Sequence, residues 1–176
     1  MHQTNVEKLN ELSSIYMQKV LNLMELCEGR IVVFDFDGAL TEFKYAEDRL
    51  LPCRDDETNE YFETDNFYVN CNISKTLQFV INTLFPNGSD DIYILSSSAP
   101  NTIPAKMEII NREFPAFKNE NVYIVGTAEE KMRVLPKLYG KHNKEILFIE
   151  DTAKNLLNAE EAFGFVRGYH ISSLIP

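Results

Sequence analysis

The residues best able to do chemistry in this chain are acidic, and they are spaced for joint use. Asp35 and Asp37 stand two apart in Val33-Phe34-Asp35-Phe36-Asp37-Gly38. Side chains two apart in an extended chain point the same way, so both carboxylates can face one site. Glu150 and Asp151 form a second acid pair, with Asn155 about one helical turn further on. Ser96, Ser97 and Ser98 supply a cluster of hydroxyls, and Lys131 supplies a cation. Carboxylates gathered at one point cannot all stay ionised without a cation. Oxygen ligands in a chain with three scattered histidines (His2, His142 and His170) favour Mg2+. Aspartate can act as a covalent nucleophile. Phosphoryl transfer then needs in-line placement and charge stabilisation on the equatorial oxygens, which a hydroxyl and an ammonium group can give.

The elements that must position these groups are legible as apolar runs. Ile31–Phe34, Ile92–Leu95, Val122–Val125 and Ile146–Ile149 are short, continuous and rich in β-branched residues, as strands buried on both faces are. Phe165-Val166 starts a weaker fifth run. Helical periodicity lies between them, over about 73–84, 103–114, 129–138 and 153–163. This alternation predicts βαβ units in an α/β fold, a Rossmann-like three-layer sandwich around a central parallel sheet. Ligands in such sheets bind beyond the carboxyl ends of the strands. Asp35 and Asp37, the serines, Lys131 and Glu150-Asp151 all follow an apolar run, where such a sheet would gather them.

Two segments stand outside the alternation. Residues 1–29 predict an N-terminal helix, with Val6, Leu9, Leu12, Tyr16, Val20 and Leu23 at helical spacing; it is expected to pack on the core or to mediate a homodimer. Residues 39–72, rich in acids and aromatics, read as a small cap or flap inserted after the first strand. Arg49, Arg54, Tyr61 and Tyr68 are its candidate substrate contacts. The 176 residues are expected to form a single domain.

Bulk properties narrow the partners. A net charge of -10 without a long basic stretch argues against a nucleic-acid polymer, though a focused cation can still draw an anionic ester into an acidic protein. Three cysteines, Cys27, Cys53 and Cys71, make neither a disulfide framework nor a zinc site. No signal-peptide core opens the chain and no apolar run approaches a membrane span, so a cytoplasmic location without membrane attachment is expected.

In this order, the motifs resemble those of the haloacid dehalogenase superfamily. Asp35-Phe36-Asp37-Gly38-Ala39-Leu40-Thr41 is similar to its first motif, Ser96 to its second, Lys131 to its third, and Glu150-Asp151 with Asn155 to its fourth, over about residues 30–169. The resemblance implies a phosphatase or phosphotransferase acting on a phosphorylated metabolite or nucleotide. Asp35 would attack phosphorus and bind Mg2+. Asp37 would serve as proton donor and acceptor, with its carbonyl on the metal. Ser96 and Lys131 would bind the phosphoryl group, and Asp151 with Glu150 would complete the metal site. A second aspartate in the first motif separates phosphoryl chemistry from dehalogenation. The departure is Ala39, where the family usually carries threonine.

Alternatives stay open at several positions. Ser97 and Ser98 compete with Ser96. Lys137, Lys141 and Lys144 compete with Lys131, though Lys144 would sit at the amino end of a strand. Glu150 could support Asp151 rather than bind metal. A signalling receiver domain collects similar groups, but its phosphorylated aspartate lies mid-chain, where these strands offer none. A catalytically silent binding protein would be expected to lack Asp35 or Asp37.

Overall fold

A computed structural model describes residues 4–42, 68 and 71–175. Helix α1 (Asn5–Cys27) leads into β1 (Ile31–Phe34), a tight turn at 36–40, α2 (Lys75–Leu84), β2 (Ile92–Ser97) and α3 (Ile103–Glu113). Then follow β3 (Val122–Val125), α4 (Ala128–His142), β4 (Ile146–Glu150), α5 (Ala153–Ala162) and β5 (Val166–His170). The five strands form one parallel sheet in the order β3-β2-β1-β4-β5. The α/β class and the central parallel sheet are those expected from the sequence.

Strand parity explains the layers. Successive side chains alternate faces. Val32, Phe34, Ile92, Ile94, Leu147 and Ile149 pack against α1, α2 and α3 through Val20, Leu23, Leu77, Ile81 and Ile110. The residues of opposite parity, Ile31, Val33, Tyr93, Leu95, Ile146 and Phe148, pack against α4 and α5 through Val134, Leu135, Leu138, Leu156 and Ala159. The helices begin on side-chain caps. Thr4 and Glu7 form a capping box on α1, Ser74 caps α2 and Thr127 caps α4, each satisfying an N–H group the helix leaves open.

The structure departs from the sequence reading mainly at element ends. β2 continues through Ser96 and Ser97 because both pair with β3, opposite Ile124 and Val125. α4 runs on to His142, past Pro136 and Gly140, and stops at Asn143 in the left-handed region. β5 extends to His170 although Arg167 and Gly168 interrupt its apolar pattern, since as an edge strand it is held by pairing with β4. Only the second half of α1 reaches the core, through Val20, Leu23 and Cys27, while Val6, Leu9 and Leu12 remain exposed. Among the described residues no helix is long and apolar enough to cross a membrane.

Residues 43–67, 69 and 70 of the expected cap, with Arg49, Arg54 and Tyr61, lie outside the described residues. Its two ends meet: the Glu42 N–H donates to the Asn72 carbonyl at 2.9 Å, and the Ser74 N–H donates to the Leu40 carbonyl at 2.9 Å. This neck stands beside the turn at 36–40. Gly38 has φ of +76°, a conformation that would strain an L side chain. Thr41 braces the turn twice, its N–H and its hydroxyl donating to the Phe36 carbonyl at 2.9 and 3.1 Å. Ala39 is buried beside it. Thr41→Val keeps the shape and the N–H bond but loses the hydroxyl, so urea unfolding should show a loss of about 1 kcal/mol; unchanged stability would mean that the brace is idle.

Candidate active site

The order of the sheet reverses between β1 and β4, and the chemistry-bearing residues lie at the carboxyl ends of these two strands. A parallel sheet opens a crevice at such a point. Here it is a cleft of about 550 Å3, lined by Asp35, Asp37, Ser97, Ser98, Lys131 and Asp151 among others. Tyr68, Glu150 and Asn155 also reach it.

Parity brings the first group together. Asp35 continues the Ile31 and Val33 side of β1, and Glu150 continues the Ile146 and Phe148 side of β4. Both therefore face α4. Lys131 heads the inward stripe of α4 that continues through Val134, Leu135 and Leu138, so its ammonium meets both acids. Lys131 Nζ lies 2.8 Å from Asp35 Oδ1 and 3.0 Å from Glu150 Oε2. The first is a close ion contact without hydrogen-bond geometry; Asp35 Oδ1 and Glu150 Oε1 are buried and accept no hydrogen bond. Asp151 sits beside them, partly exposed, and ligand atoms of the three carboxylates lie within 4.8 Å of one another.

This corner is short of positive charge. Burial drives the Asp35 carboxyl up to about 8, with Lys131 pulling down and Glu150 and Asp37 pushing up. Burial, then the charge of Asp35, raises Asp151 above the usual carboxylate range. Burial opposes the charge on Lys131, yet Asp35 and Glu150 outweigh it and hold the ammonium above its ordinary range. Three clustered carboxylates, two of them buried and one with an oxygen that has no partner (Glu150 Oε1), fit a hard divalent cation: oxygen donors and excess negative charge.

The second group forms on the other face. Ser96 continues the Ile92 and Ile94 side of β2, toward α3, and is fully buried. Ser97 and Ser98 reach the cleft, and the Ser98 hydroxyl is 2.6 Å from that of Thr102. Ser96 Oγ instead donates to Asp37 Oδ2 at 3.3 Å, behind the cleft wall. The Asp37 carboxylate also accepts from Lys106 Nζ at 2.6 Å and from the Tyr68 hydroxyl at 3.1 Å. Its side chain therefore stands apart from the three-carboxylate cluster. Burial, then the charge of Asp37, pushes the Tyr68 phenol above its ordinary range, so Tyr68 stays a donor.

The structure thus joins Asp35, Lys131, Glu150 and Asp151 in one cluster and links Asp37 and Ser96 in a second. Asn155 lies on the cleft wall. Lys137, Lys141 and Lys144 stay away from the cleft; Lys141 donates to the Tyr93 hydroxyl and Lys144 to Asp91. Lys106 was missed by sequence reasoning. Its signal is a lysine three and four residues before Ile109 and Ile110, on the buried stripe of an amphipathic helix, where a cation needs a partner. Compared with models of protein families, with curated proteins and with solved structures, this chain has no match.

The raised Asp35 has a consequence for stability. The folded, metal-free protein holds a proton on Asp35 between its ordinary 3.8 and about 8, where the unfolded chain does not. Its contribution is fully present below the unfolded value and is lost as pH rises through about 8. Asp35→Asn cannot ionise, so in EDTA its melting temperature should gain on wild type as pH rises from 5 to 8, by roughly 7–14 °C. A constant difference across that range would show that Asp35 is ionised throughout.

Proposed function

We propose that this chain is a Mg2+-dependent phosphomonoester hydrolase of the haloacid dehalogenase kind, working through an aspartyl-phosphate on Asp35. The observation that carries the reading is the buried Asp35 carboxylate at the carboxyl end of β1, in contact with Lys131 and clustered with Glu150 and Asp151. The cleft of about 550 Å3 is of the size that takes small molecules, which favours a phosphorylated metabolite or nucleotide over a polymer.

Asp35, Glu150 and Asp151 would hold the Mg2+ ion. When bound, it would neutralise the excess carboxylate charge and that of the phosphoryl oxygens. An Asp35 oxygen attacks phosphorus as the bond to the leaving oxygen breaks, and Asp37 gives its proton to that oxygen. Asp37 then takes a proton from water; the water oxygen attacks phosphorus, the bond to Asp35 breaks, and inorganic phosphate leaves. Lys131 keeps positive charge against Asp35 and the transferring group. Ser97 and Ser98, as residues of the cleft wall, are the hydroxyls placed to donate to the phosphoryl oxygens, while Ser96 supports Asp37 from behind.

Asp35→Asn should abolish hydrolysis of a generic aryl phosphate, a loss of at least roughly 1000-fold in kcat, while circular dichroism shows an intact fold. Turnover at the wild-type rate would remove Asp35 as nucleophile. EDTA should silence the enzyme and added Mg2+ restore it; full activity after metal removal would refute the metal site.

A further inference from the structure

Lys106 is the most deeply buried cation among the described residues, with no exposed surface at all. Its ammonium has three donors, and each has a partner: Asp37 Oδ2 at 2.6 Å, Ser96 Oγ at 2.9 Å and the Ser97 carbonyl at 3.1 Å. Two rings close over it, Phe36 at 5.5 Å and Tyr68 at 5.2 Å from Nζ to ring centroid. Its partners come from three places in the chain: the turn after β1, the end of β2 and the 39–72 insertion.

Packing alone gives no reason for a lysine here. Its neighbours on the inward stripe of α3 are Ile109 and Ile110. An apolar side chain of similar volume would avoid the desolvation of an ammonium group, and buried ion pairs are often neutral or unfavourable against such a replacement. What the lysine does supply is a fixed anchor for Asp37. With Lys106 and Ser96 on Oδ2 and Tyr68 on Oδ1, both oxygens of that carboxylate are held from one side. Asp37 is the second residue of the turn at 36–40, itself extended and followed by Gly38 at positive φ. Nothing in the turn itself holds its side chain.

We infer that Lys106 is a positioning residue for Asp37: through the three-point clamp on Asp37, Ser96 and the Ser97 carbonyl it sets the carboxylate where a leaving-group oxygen and then a water can reach it. The inference rests on the reading of Asp37 as proton donor and acceptor. Lys106 does not line the cleft, so it acts through Asp37 and not on the substrate. Proton transfer by a placed side chain is worth about 100- to 10000-fold, and a misplacement of about 1 Å can remove much of it.

The test compares wild type, Lys106→Met, Lys106→Gln, Asp37→Asn and the Lys106→Met/Asp37→Asn double variant on an aryl phosphate with Mg2+. Lys106→Met should lower kcat by roughly 10- to 100-fold and leave KM and inhibition by orthovanadate within about threefold of wild type. Lys106→Gln, which keeps a donor, should fall between Met and wild type, and it serves alone if the Met variant does not fold. In the Asp37→Asn background, Lys106→Met should cost nothing more. Wild-type kcat in a folded Lys106 variant overturns the inference, and so does an equal further loss in the Asp37→Asn background. Turnover that depends on Asp35 with Lys106→Met at wild-type rate overturns this inference alone; no Asp35-dependent turnover in wild type overturns the hydrolase reading and this inference with it.

Discussion

The constraint on which the site depends is a local imbalance of charge. Asp35, Glu150 and Asp151 share a corner at the end of the sheet with one ammonium, that of Lys131. Asp35 and Glu150 are almost wholly shielded from water. Charges so placed interact strongly and cannot be hydrated, so the corner must bind a proton, bind a cation, or come apart. The proton solution is visible in Asp35, whose carboxyl is driven up to about 8. A cation would meet the same need, at the Glu150 Oε1 that accepts no hydrogen bond. A divalent ion there would compete directly with the proton.

The fold resolves the acids of the first segment into two environments. Asp35 has the parity of Val33 and looks toward α4, where Lys131 heads the buried stripe. Asp37 lies past the strand end, after a break in the extended backbone at Phe36, and its carboxylate stands on the α3 side, where Lys106 heads the corresponding stripe. The helices α3 and α4, which follow β2 and β3, thus each bring one lysine back to the same end of the sheet. Two acids that would repel each other on one face are instead held by cations arriving from opposite faces. Carboxylates with different surroundings can take different roles, as the proposed nucleophile and proton-transfer group require.

Much of this was legible because buried parallel strands are unmistakable as β-branched runs. β1 and β3 fall where the apolar residues end, and the first four strands lead straight to the site residues. The failures have separate causes. Ser96 and Ser97 belong to β2, yet polarity hides them from an apolar count; their strand character comes from pairing with Ile124 and Val125, a long-range fact. Which serine faces the cleft follows from parity only once that extension is known. β5 was faint because pairing holds it rather than burial of a continuous apolar run. Lys106 was invisible for the opposite reason: a lysine on a helix is ordinarily surface charge, and only the stripe shared with Ile109 and Ile110 marks it as buried.

Neither buried cation serves the hydrophobic core. Remove the charges and the inward stripes of α3 and α4 would still pack on the sheet through Ile109, Ile110, Val134, Leu135 and Leu138. The strands would still pair through Phe34 and Ile149. Ionised groups at such positions cost desolvation that apolar residues would avoid, and Asp35 bears that cost in its displaced titration. Titratable groups held far from their ordinary behaviour, in a cleft and with specific partners, mark places where the chemistry rather than the fold dictates the residue. By that argument the Asp35 cluster is such a place, and the Lys106 clamp, which the core does not require, stands beside it at the turn that follows β1.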